Sequence, residues 1–164
     1  GRLEWCVSTD AYIAIGSNLG DRQTTINSAI QAIASHGSIE LVCRSSIIET
    51  QPVGEIEQGA YLNGVVQVRT TLGARELLDA LLRIESDHGR DRSSEQRWGP
   101  RTLDLDLIVF GSEVHDEPGL QVPHPRLHER SFVLVPLAEV APDLVLPVHN
   151  ETPRQLLNAL GGAG

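Results

Sequence analysis

The chain has 164 residues, 40% of them hydrophobic and 21% charged, which fits one packed domain and excludes wholesale disorder. Its 13 basic residues against 22 acidic ones give a formal charge of −9, the wrong sign for a non-specific nucleic-acid binder. All 13 basic residues are Arg, so Walker-A and Schiff-base lysine chemistry are excluded as well.

Cys6 and Cys43 are the two cysteines, and they form neither a metal knuckle nor a C-x-x-C pair. No signal-peptide core is present, and no apolar run approaches the ~20 residues of a membrane span. The expectation is therefore two reduced thiols in a cytoplasmic protein with no membrane partner. The chain contains no Met, so residues 1–10 (GRLEWCVSTD) read as an N-terminal tail or fusion stub, with residues 11–164 as a single domain.

In chain order, Ala11–Gly16 (AYIAIG) reads as a short buried strand. Asp21 is placed to cap a helix whose apolar stripe is Ile26, Ala29, Ile30, Ile33 and Ala34, stopped by Gly37. Ile39–Thr50 is rich in β-branched residues and predicts one strand. Gln51–Gly59 predicts a loop, and Tyr61–Thr71 a third strand. Leu77, Leu78, Leu81, Leu82 and Ile84 mark a second helix ending near Gly89. A polar, Arg-rich loop follows over Gly89–Thr102, and then a fourth strand, Leu103–Phe110.

The order β-α-β-β-α-β is the ferredoxin-like signature, so the fold class expected is an α+β sandwich. A C-terminal helical extension completes it, with a helix over about Ser131–Val140 and a last helix. Thr152 caps that last helix, Pro153 stands at its first turn, and Gly161 lies past its end.

The chemistry concentrates around Leu103–Phe110. Alternation along a strand puts Leu103, Leu105 and Leu107 on one side and Asp104 and Asp106 on the other, the two carboxylates ~6–7 Å apart along the chain. Taken alone, that pattern also describes the acidic solvent face of a half-buried strand. Four Arg (Arg90, Arg92, Arg97 and Arg101) fall within twelve residues just upstream, and Arg126 and Arg130 lie downstream. Exposed ion pairs contribute only ~0–1 kcal/mol each, so stability is a poor reason for such a cluster. A clamp of Mg²⁺ on carboxylates and guanidinium on phosphate is the better one.

Tyr61 and Asn63 share a strand face and suit a flat heterocycle, although a core Tyr and a turn Asn fit equally well. Phe132 reads first as core, and Trp98 is hard to explain as core. His124 is held between Pro123 and Pro125, as a nucleotide contact or as a surface-turn residue.

The run Arg97–Asp106, R-W-G-P-R-T-L-D-L-D, resembles the signature of the 6-hydroxymethyl-7,8-dihydropterin pyrophosphokinase family. AYIAIGSNL at 11–19, TQPVG at 50–54, YLN at 61–63, RIE at 83–85, GRDR at 89–92, VPH at 122–124 and RSF at 130–132 follow in that family's order. The resemblance implies Mg²⁺-dependent transfer of pyrophosphate from ATP to the pterin's hydroxymethyl group, releasing AMP, in folate biosynthesis. It implies two Mg²⁺ ions on Asp104 and Asp106, with Arg90 and Arg101 supporting transfer.

The resemblance further implies a pterin pocket of Thr50, Pro52, Val53, Tyr61, Asn63, Trp98 and Phe132. ATP contacts fall at Glu85, Arg92, Arg97, Trp98, Arg101, His124 and Arg130. The family acts on small molecules, and a cytoplasmic monomer is expected, with fusion to other folate enzymes known among its members. The chain departs from the pattern at Ser93–Gln96, one residue longer, and at Gly119–Gln121, which lacks a polar pattern for adenosine contacts. Two rivals differ in chemistry: a Mg²⁺-dependent nucleotide hydrolase, which Tyr61, Asn63 and Phe132 disfavour, and a non-catalytic ferredoxin-like module, which the paired aspartates disfavour.

Overall fold

An apolar strand without alternation belongs in the interior of a sheet covered on both faces, and β1 (Thr9–Ser17) occupies that position. The computed structural model describes residues 8–17, 22–50, 61–88 and 103–163. Helix α1 (Arg22–Ala34) follows β1, then β2 (Ile39–Arg44), β3 (Ile48–Thr50), β4 (Tyr61–Thr70), α2 (Ala74–Asp87) and β5 (Asp104–Phe110). The main sheet runs β2-β4-β1-β5, every pair antiparallel, with β3 extending the β4 edge beyond β2. This is the ferredoxin-like arrangement expected from the element order.

Each face of the sheet has its own core. On one side Ile13, Ile15, Val66, Val68, Leu105 and Leu107 meet the apolar stripes of α1 and α2. On the other, Tyr12, Val65, Ile108 and Val109 meet α3 (Ser131–Val140) and α4 (Pro153–Ala163). The C-terminal extension is thus a second layer on the sheet. Helix α2 starts where Glu76 reaches back to accept the Gly73 N–H (2.9 Å), and α4 where Thr152 and Gln155 bond each other's backbone N–H groups (3.1 and 2.8 Å).

The larger departures from the sequence expectation have specific causes. β1 begins two residues early, pairing Thr9 with Thr70 and Asp10 with Arg69. The strand expected over 39–50 is two strands, because Ser45 turns its hydroxyl to the Val65 N–H (2.9 Å) and the register of β2 already shifts between Leu41 and Cys43. Ser46 in that break gives both its N–H (2.6 Å) and its hydroxyl (2.9 Å) to Glu139 Oε1 on α3.

Helix α4 continues through Gly161 to Ala163 instead of stopping before it; its Leu156, Leu157 and Leu160 pack on the second core, which outweighs glycine's ~1 kcal/mol helix cost. Between β5 and α3 lie an unforeseen hairpin, β6 (His115–Glu117) and β7 (Leu120–Val122), and a 3-10 turn, Leu127–Glu129. Arg75 of α2 ties the hairpin down through Glu117 (2.8 Å) and the Pro118 carbonyl (3.0 Å). None of the helices is long and apolar enough to cross a membrane, among the described residues.

Candidate active site

Register decides which side chains meet. Gly16 of β1 pairs with Asn63 of β4 on one side and Asp104 of β5 on the other. One step back, Ala14 pairs with Val65 and Asp106. Directly opposed residues share a face, so Asn63, Asp104 and Asp106 all stand on the side covered by α3 and α4. The Cα atoms of Asn63 and Asp104 lie two strand spacings apart, roughly 10 Å.

Gly16 makes this row possible. A Cβ there would stand 3.2 Å from Asn63 Oδ1, so the carboxamide lies over the glycine. Asn63 is 9% exposed, whereas Asp104 is half-buried and Asp106 exposed. The split expected along β5 is present: Leu103, Leu105 and Leu107 are buried in the α1/α2 core, away from the aspartates.

Phe132 opens α3 and packs, half-buried, on the second core. The Arg130 guanidinium lies 5.8 Å from its ring centroid, within cation–π range. His124 follows a cis Val122–Pro123 bond and donates its backbone N–H to the Ile108 carbonyl of β5 (2.9 Å). Its Nδ1 accepts the Arg126 N–H (3.1 Å), which leaves the ring proton on Nε2. Burial, and then Arg130 and Arg126, push its pKa below the ordinary 6.5. At neutral pH His124 is therefore an uncharged Nε2–H donor.

Glu85 was expected to contact nucleotide. Its side chain is 3% exposed, and Oε2 accepts the Leu105 N–H of β5 at 2.7 Å. It continues the buried stripe of Leu77 and Leu81 at i+4 and i+8. A charge on an apolar stripe was visible in the sequence, and is the signal that could have marked it as buried. Gly16, which pairs with both Asn63 and Asp104, gives no signal in the sequence beyond ending an apolar run.

Thr50 and Tyr61 are cross-strand partners at the mouth of β3 and β4, two positions along from the Ile48–Asn63 pair. Their side chains lie outside the described residues, as do Pro52, Val53, Arg90, Arg92, Ser93–Gln96, Arg97, Trp98 and Arg101. Gly119–Gln121 forms the turn and first strand residues of the hairpin, with Gly119 at φ +80.

No cluster of three or more His, Cys, Asp and Glu gathers into a metal site among the described residues. The donor set is two carboxylates on one face, which suits a hard cation completing its shell with water and phosphate oxygens.

A model of the family described as 7,8-dihydro-6-hydroxymethylpterin-pyrophosphokinase (HPPK) matches residues 12–142. The chain belongs to this family. Among HPPK relatives, the 2-amino-4-hydroxy-6-hydroxymethyldihydropteridine pyrophosphokinase of Bacillus subtilis (strain 168) is 48% identical over 130 residues, covering 79% of this chain and 77% of its own. That of Methylorubrum extorquens is 43% identical over 157 residues, covering 95% and 96%. In fold, the chain resembles Plasmodium falciparum HPPK-DHPS (TM-score 0.75, 14% identity), covering 96% of this chain but only 45% of that longer one. The HPPK match spans both the aspartate strand and the Asn63 strand, and it makes the chain a pyrophosphokinase.

Proposed function

We propose that Asp104 and Asp106 hold two Mg²⁺ ions against ATP while the chain transfers pyrophosphate to 6-hydroxymethyl-7,8-dihydropterin, releasing AMP in folate biosynthesis. The observation that supports this is the row Asn63–Gly16–Asp104, which puts a buried carboxamide on the same sheet face as the two aspartates. A carboxamide offers two donors and an acceptor, the complement of a pterin's amide edge. Tyr61 and Phe132 stack on the two faces of the ring, and Thr50, Pro52, Val53 and Trp98 wall it in.

Arg90 and Arg101 stabilise charge as the pyrophosphoryl group moves, and Arg92, Arg97, Trp98 and Arg130 grip the nucleotide. His124 adds a neutral Nε2–H donor. When bound, the cations offset the phosphate charge and acidify the attacking hydroxyl. No side chain is required as a base, and catalysis rests on positioning and electrostatics. The same reading has the protein working as a monomer in the cytoplasm.

Calorimetry tests it. A non-hydrolysable ATP analogue with Mg²⁺ binds first, and 6-hydroxymethylpterin then binds far more tightly than it does to the bare chain. Asp104→Ala abolishes turnover while circular dichroism keeps its folded signature. A pterin that never joins the nucleotide complex would send the site to nucleotide hydrolysis instead, and a fully active Asp104→Ala would remove the cation assignment.

A further inference from the structure

Among the described residues, Glu85 is the only buried charged side chain. A carboxylate taken out of water is costly unless it is hydrogen-bonded. Here Oε2 accepts the Leu105 N–H at 2.7 Å, the short end of the N–H···O range. Leu105 stands between Asp104 and Asp106, and β5 ends the sheet order, so this N–H goes to a helix side chain instead of a further strand. The same residue's side chain is buried in the core beneath α2. Helix α2 therefore grips β5 by both side chain and backbone at the one residue flanked by the two aspartates.

We infer that Glu85 is a positioning residue: through the Leu105 amide it sets the place and pitch of β5, and with them the spacing of the Asp104 and Asp106 carboxylates toward divalent cations. The inference rests on those aspartates being the cation ligands. It gives Glu85 a different task from the nucleotide contact implied by its place in the family pattern. Reach matters for this task and charge does not, which separates it from an electrostatic role. Gln keeps the length and an accepting oxygen; Asp keeps the charge but falls one methylene short.

The test is Mn²⁺ binding to the whole chain in the presence of a non-hydrolysable ATP analogue, read by electron paramagnetic resonance, with Leu105 amide exchange followed by NMR. Glu85→Gln is expected to bind Mn²⁺ within about threefold of wild type with a protected Leu105 amide, and Glu85→Asp to bind about tenfold to a hundredfold more weakly with faster exchange. The opposite order, Asp retaining affinity and Gln losing it, overturns the inference in favour of charge. Equal binding by wild type and both variants overturns it too.

If Glu85→Asp does not fold by circular dichroism, Glu85→Gln decides: retained affinity and protection support the strap, and lost affinity ends it. Asp104→Asn separates the two assumptions. If it binds Mn²⁺ like wild type, the ligand assignment falls and the strap falls with it. If it loses Mn²⁺ while both Glu85 variants keep it, only the strap falls.

Discussion

His124 and His149 lean the same way. Burial is the larger cause for both, helped by Arg130 and Arg126 at His124 and by His128, whose ring centroid is 5.2 Å away, at His149; Glu151 opposes the shift there. Each folded-state pKa lies below the ordinary 6.5, so in the window beneath 6.5 the unfolded chain binds more protons than the folded one. The stability these rings contribute is present above 6.5 and is lost as pH falls through the depressed values. Urea unfolding between pH 7.5 and 5 should show a falling midpoint, shallower in His124→Asn, whose Oδ1 can still accept the Arg126 N–H. A slope unchanged in His124→Asn would assign the titration elsewhere. At this scale Asp104, Asp106 and Asn63 were legible because strand alternation forces their faces. Gly16 was not, because its importance lies in a neighbour on β4 that only the register reveals.

Elements were legible where one period dominated. Helix α2 and strand β4 emerged within a few residues of their true ends, since their apolar spacing matches a single face or a single run. The break between β2 and β3 was not legible: the β-branched run continues through it, and its cause is a long-range bond from Ser45 to the β4 backbone. The adjoining Ser46–Glu139 contact ties the C-terminal turn of α3 to that same break. Glu139→Ala removes an acceptor from two donors at an exposed position, a loss of about 1 kcal/mol. Thermal unfolding should register about 2–4 °C for a chain of this size. An unshifted midpoint would show the contact to be energetically silent.

The whole molecule is a sheet between two helical layers, and the continuous apolar run of β1 already required both. What the sequence could not specify was which helices cover which face, since that follows from the path of the chain through residues 115–130. Leu134 sits fully buried in the second core, with Val65 and Ile108 behind the site. Leu134→Ala should cost about 2–5 kcal/mol by chemical denaturation. A cost under about 1 kcal/mol would mean that the α3–α4 layer is loosely seated.

The register shift between Leu41 and Cys43 has a consequence for colloidal behaviour. β2 is the outermost strand beside β4, and such a margin is where sheets of separate molecules stitch together into aggregates. In β2 the run of backbone hydrogen bonds is interrupted by that shift, and exposed Glu40 and Arg44 stand on either side of it. A second chain laid along this margin would lose registry within a few residues and bring charged groups with it. The irregularity that shortens the strand thus leaves this margin a poor template for adding another strand.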